Sequence, residues 1–179
     1  MKEISENNFG VMIAFLVPGS LFLWGLSYSS DYIASLLAGS AEDHAPTVGG
    51  FLYATLASLA VGLFISAVRW VLIDRIHKWT GVPEPRLNFA RLKDRDLHAA
   101  FAGAVENHYR YYQYYANTLV AVVGAFAVYV IAGKCPSGTV WVTTIAIIVV
   151  LFIASRDTLK KYHSRAIAIL SEHQEEYCK

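Results

Sequence analysis

The side chains best placed to do chemistry next to an apolar run lie in one decapeptide, His108-Tyr109-Arg110-Tyr111-Tyr112-Gln113-Tyr114-Tyr115-Ala116-Asn117. Glu106, Arg110, Gln113 and Asn117 follow i, i+4, i+7 and i+11, so on a helix they form one polar stripe, continued by the small residues Ala121 and Gly124. Carboxylate, guanidinium and amide groups aligned in this way can build a hydrogen-bond network between helices, or line a pore or ligand site. In a bilayer, such a face belongs against protein or a wet cavity rather than lipid. The five tyrosines, Tyr109, Tyr111, Tyr112, Tyr114 and Tyr115, are expected as an interfacial aromatic belt, with rings among the headgroups and hydroxyls wet. A belt needs only one or two rings. Five around the whole circumference imply that some face protein.

A second stripe is Ser58, Gly62 and Ser66, the small-xxx-small spacing that lets two helix backbones approach closely, with Arg69 completing it at the inner edge. Arg69 is expected to snorkel to water, with Glu106 as an available partner. Pro18 lies inside an apolar run and cannot donate to the Ala14 carbonyl, so a kink is expected there.

Catalytic signals are thin. Arg156 and His163 enclose six residues, a spacing also used by the HEPN ribonuclease motif, but the pattern is permissive and Arg156 also serves as an end-of-span anchor. His163 and His173 are ten residues apart and point about 80° away from each other on a helix. His77, His98 and His108 are scattered likewise. No G-x-S-x-G, H-E-x-x-H, P-loop or CxxC occurs. The expectation is a protein that is not an enzyme, with no catalytic residue, no metal ligand set and no cofactor.

The elements that must position these residues follow from the charge pattern. Of 179 residues 55% are hydrophobic and only 16% charged, where a soluble domain carries about a quarter. Residues 7–30, 44–68, 111–133 and 135–155 contain no Asp, Glu, Lys or Arg, and each run reaches the roughly 20 residues that cross a hydrocarbon core. A soluble globule, a disordered chain and a disulfide scaffold are excluded. The prediction is an all-α polytopic membrane protein forming a single membrane domain. Its four spans fall at about 9–29, 48–69, 111–133 and 139–156, with a cytoplasmic helical layer at about 74–110 and 157–179. Of the 15 Lys and Arg, Lys134 alone falls between the third and fourth runs and none between the first and second. The positive-inside rule then places both termini and the central loop in the cytoplasm. The first run is read as a signal anchor rather than a cleaved signal peptide, for want of a basic n-region. Cys135 and Cys178 fall on opposite sides of the membrane and cannot pair within one chain.

Between the spans, 31–37 is expected as a short interfacial helix, interrupted by Gly39, Pro46, Gly49 and Gly50, with Asp31, Glu42 and Asp43 suiting the outer face. Pro83 and Pro85 stop the helix that leaves the second span. From about Asn88 a long helix is predicted to run into the third span, and Leu159, Tyr162, Ala166, Ile169, Leu170, His173 and Tyr177 form an apolar stripe beyond the fourth.

The opening Asn8-Phe9-Gly10, Ile13-Ala14-Phe15-Leu16, Pro18-Gly19 and Trp24-Gly25-Leu26, with the tyrosine-rich His108 to Asn117 motif, resembles small bacterial four-span inner-membrane proteins of unassigned function. In shape the chain is similar to membrane subunits of bacterial anti-phage systems. The resemblance implies a bacterial inner-membrane location and a role in defence, but no site residue.

The function expected from these features is that of a homo-oligomeric scaffold or sensor in the lipid bilayer, engaging a cytoplasmic protein partner and no nucleic acid. The polar, aromatic and basic residues cluster at the inner face, where the partner would meet them. A pore with the Ser58, Ser66, Gln113 and Asn117 stripes turned inward is the alternative, and a membrane-face enzyme using His108, Arg156 and His163 comes last.

Overall fold

A computed structural model of the chain describes residues 2–37 and 48–171, with side chains described at residue 10 and from residue 12 onward. Glu42, Asp43, Pro46, His173, Tyr177 and Cys178 lie outside the described residues. The described residues are helical and contain no strand. The helices are α1 (Lys2–Leu26), α2 (Asp31–Leu37), α3 (Val48–Trp79), α4 (Arg95–Ala104), α5 (Arg110–Ile131) and α6 (Gly138–Leu170). By length and composition α3, the Arg95–Ile131 helix and α6 are long and apolar enough to cross a membrane, and α1 carries a shorter apolar stretch, Met12–Leu26. This fits a membrane protein.

The ring and backbone contacts fix the directions of the helices. Gly19 meets the Ser58 carbonyl while Gly62 meets that of Phe15, so α1 and α3 run antiparallel. Gly10 meets Glu106, Gly25 meets Ala125 and Tyr28 meets Tyr129, so α1 and α5 run parallel. Phe126 packs edge-on against Trp141 and Tyr109 against Tyr162, which makes α6 antiparallel to α5. The four long helices therefore alternate in direction, with α1 wedged between α3 and α5.

The wedge depends on missing side chains. A methyl group added at Gly62 would overlap the Phe15 carbonyl, and one at Gly19 would overlap the Ser58 carbonyl. The small-xxx-small stripe of α3 thus packs inside the chain, backbone against backbone. The opposite surfaces stay apolar and open: Leu63, Phe64, Val142 and Val150 are exposed, and nearly all of the apolar stretch of α6 is unburied. Hydrocarbon tails are as apolar as these side chains, so a lipid-facing helix gains nothing by hiding them.

The sequence between α3 and α5 departs from the predicted single helix. Asn88 caps a 3-10 turn, Phe89–Lys93, by accepting from the Ala90 N–H. Asp94 is extended, with ψ 128°, and its carboxylate accepts from the Asp96 and Leu97 N–H groups. It therefore starts a new helix at Arg95 and breaks continuity with Asn88, because an acidic N-cap that satisfies orphan donors outcompetes helix propagation. Between α4 and α5 the backbone makes a π turn, Val105–Tyr109, ahead of the tyrosine cluster. The extra residue in such a turn rotates the face that follows by about 100°.

Gly62→Ala is expected to lower thermal stability in detergent by about 1–3 kcal/mol, because backbone cannot move aside as a side chain can. Gly103→Ala, with no atom within 4 Å of its new methyl, is expected to hold or raise stability. Equal melting of the two variants would contradict the backbone contact.

Candidate functional site at the polar end of the bundle

The site grows from Arg69. Its side chain is only 4% exposed and does not snorkel; Nη1 donates to Asp74 Oδ1 at 3.1 Å. The Tyr112 hydroxyl donates to the same carboxylate oxygen, and the Arg69 guanidinium lies 5.1 Å from the centre of the Tyr112 ring. A buried cation needs a counter-charge and further donors or π faces to offset its desolvation, and Asp74 and Tyr112 supply both. Glu106, the expected partner, instead pairs with Arg110 at 3.7 Å, with one carboxylate oxygen against Gly10. The cause is geometric: Glu106 and Arg110 share the α1-facing side, whereas Arg69 and Tyr112 meet on the other.

The polar stripe faces α1. Arg110 donates to Gln113 Oε1 at 3.3 Å, and Gln113 and Asn117 are buried. Asn117 Nδ2 donates to the Ala14 carbonyl at 2.9 Å. That carbonyl is the one left without its helical donor by Pro18, which is itself fully buried within α1. The stripe therefore completes the backbone hydrogen bonding of a neighbouring helix, as buried membrane-depth backbone requires. Ser58, Gly62 and Arg69 are buried with it, while Ser66 and Gly124 are half-buried, Gly124 against the Phe22 ring.

Of the expected belt, Tyr111 is exposed and Tyr109, Tyr114 and Tyr115 are half-buried. Tyr112 is not a belt residue: it is 1% exposed and sits in a core with Ile73, Val82, Ala116, Leu119 and Leu159. The π turn brings Tyr109 over both Tyr112 and Tyr162, at 5.8 and 5.0 Å between ring centres.

A lip closes over this core where α3 ends. Gly81 takes φ +90°, Val82 N–H reaches back to the His77 carbonyl at 2.9 Å and Gly81 N–H to that of Lys78 at 3.3 Å. These are the paired bonds of a Schellman cap, which needs glycine at the left-handed position and buries the next residue, here Val82. Arg156 donates to the Thr80 carbonyl, placing a cation at the negative end of α3. Ser155 gives its proton to the Phe152 carbonyl at 2.9 Å, so fully buried His77, 3.1 Å away through Nε2, donates to it. Arg156 and His163 do not meet. One holds the α3 terminus, and the other faces the loop that follows.

Beneath the lip, α3, the loop through Pro85, the π turn and α6 enclose a cavity of about 440 Å³, within the range of small-molecule sites. Asp74 and Tyr112 form its floor, Tyr109, Tyr162 and Phe89 its walls, and Arg75, Lys78 and Glu84 its polar rim. Lys78 and Glu84 bond at 2.7 Å, which holds the Glu84 carboxyl below the usual carboxylate range. Asp74 and Trp70 were not singled out by sequence reasoning, and Tyr162 was read only as part of an apolar stripe; Asp74 stands five residues beyond Arg69, outside the i,i+3 and i,i+4 spacings that mark a helical ion pair. Among the described residues no three of His, Cys, Asp and Glu converge as metal ligands, and Cys135 is a free, exposed thiol.

No protein-family model, no curated protein and no solved structure matches this chain.

Asn117→Leu is expected to cost about 1–3 kcal/mol by leaving the Ala14 carbonyl without a donor. In a Pro18→Ala background residue 18 regains an N–H, so the same substitution should cost clearly less. A double-mutant cycle by thermal unfolding in detergent reads the difference. Equal costs in both backgrounds would show that Asn117 does not replace the missing bond.

Proposed function

We propose that this chain is a homo-oligomeric scaffold or sensor of a bacterial inner membrane that engages a soluble protein on the cytoplasmic side. It crosses the bilayer four times, with α1 as the first span and both termini inside. Residues 74–110 and 157–179 form the cytoplasmic layer. The role is not enzymatic, and the defence systems whose membrane subunits the chain resembles are its natural setting.

The observation that carries this reading is mechanical continuity from the apolar spans into the polar layer. α3 and α6 continue from their apolar stretches to Trp79 and Leu170. There the layer is stitched to α6: Arg91 donates to the Ser171 carbonyl at 2.6 Å, and the Asn88 N–H to that of Leu170 at 3.4 Å. Phe101 packs against Tyr162 with ring centres 6.4 Å apart. Movement of a span is thereby passed to the surface a soluble partner would touch. The polar stripes are occupied by α1, which supports this reading over a pore lined by Ser58, Ser66, Gln113 and Asn117.

Lys160, Lys161 and Arg165 are exposed on the layer face of α6. Reversing all three to Glu should leave the chain in membranes and remove its protein partner from affinity-purified material, as read by quantitative mass spectrometry. An unchanged set of co-purifying proteins would contradict the reading. Native mass spectrometry should give a multiple of the 19.8 kDa chain; a monomer alone would contradict the oligomer.

A further inference from the structure

The cavity at the polar end has chemistry that the scaffold role leaves unused. Its rim carries two cations of different standing. Lys78 is held by Glu84 in an exposed pair that an incoming anion can exchange. Arg75 is exposed and has no ion-pair partner among the described residues. The interior is different: the walls are the rings of Tyr109, Tyr162 and Phe89, and the floor carries Asp74. Oδ1 of Asp74 is taken by Arg69 and the Tyr112 hydroxyl, while Oδ2 has no hydrogen-bond donor among the described residues.

These features fix the orientation of an occupant. An anionic group is repelled by the floor carboxylate and attracted by Arg75 and Lys78, so it sits at the rim. A guanidinium, with a planar fork of donors, is well matched to phosphate oxygens. The body of the ligand must then lie among aromatic rings with its deepest edge against a carboxylate oxygen. A planar ring bearing N–H groups satisfies both, by stacking and by donating to Oδ2. An acyl chain satisfies neither, because it would bury the carboxylate against methylenes.

We propose that this cavity binds a nucleotide, with its phosphate at Arg75 and Lys78 and its base laid against the packed Tyr109 and Tyr162 rings above Asp74. The site belongs to the single chain, so it stands or falls independently of the cytoplasmic protein partner.

The test uses the full chain purified in detergent, with radiolabelled ATP and GTP as probes in equilibrium dialysis. Inorganic phosphate and adenosine serve as competitors, and nanodiscs of phosphatidylglycerol or phosphatidylcholine provide a lipid arm. Saturable binding of at least one nucleotide is expected, weakened about tenfold by Arg75→Ala and further by Arg75→Glu. Arg75 is exposed and unpaired, so both variants should remain monodisperse. Lys78→Ala should weaken binding as well, with Glu84 released. Adenosine and inorganic phosphate should each compete far less well than the whole nucleotide. Absence of saturable binding by both nucleotides would overturn the proposal, as would binding indifferent to both Arg75 variants. Arg75-dependent preference for phosphatidylglycerol without nucleotide binding would overturn it too, and would assign the rim to a lipid headgroup.

Discussion

A guanidinium that is 4% exposed, where the apolar stretch of α3 ends, must find a counter-charge within reach or leave the protein interior. Arg69 finds one five residues further along α3, and the Asp74 carboxylate is completed by the Tyr112 hydroxyl of α5. Losing one partner of such a buried pair costs about 3–5 kcal/mol, because the other charge is left uncompensated. The geometry at this end of the bundle follows from that demand. Tyr112 must face α3, which turns Ala116 and Leu119 towards Ile73 and Leu159 and makes the core that seats α6. The same carboxylate becomes the floor of the cavity, and the Schellman lip over it ends α3.

A different constraint governs the bilayer half. Hydrophobic burial offers little there, so the helices are held by close backbone approach and by hydrogen bonds that leave no peptide group orphaned. Gly19 and Gly62 supply the approach, and Asn117 supplies the donor that Pro18 removes. The two halves are joined by α5, whose one face serves α1 through Gln113 and Asn117 and whose other face serves Asp74 through Tyr112.

Much of this arrangement was legible in the residues. The spacing of Arg110, Gln113 and Asn117 marked a protein-facing stripe, and Ser58, Gly62 and Ser66 marked a close helix contact, because both are local periodicities on one helix. The orphaned Ala14 carbonyl was evident from Pro18 alone. Its donor was not, since Asn117 is 103 residues away in sequence and only the packing of α1 on α5 brings them together. Arg69 was read as snorkelling because position along a helix says nothing of which side a neighbour covers. Asp94 was missed as a helix start because periodicity extends across it, whereas capping is decided by one side chain. The cavity was invisible because its walls come from α3, a proline loop, a π turn and α6, which no single periodicity links.

Asp74 is the point on which the polar end of the bundle depends, and amide hydrogen exchange of Asp74→Asn in detergent measures that directly. Replacing the carboxylate should speed exchange in 105–116, in the 80–90 loop and in 156–166, while 14–25 and 58–66 keep their protection. Faster exchange confined to the turn of α3 around residue 74 would contradict it.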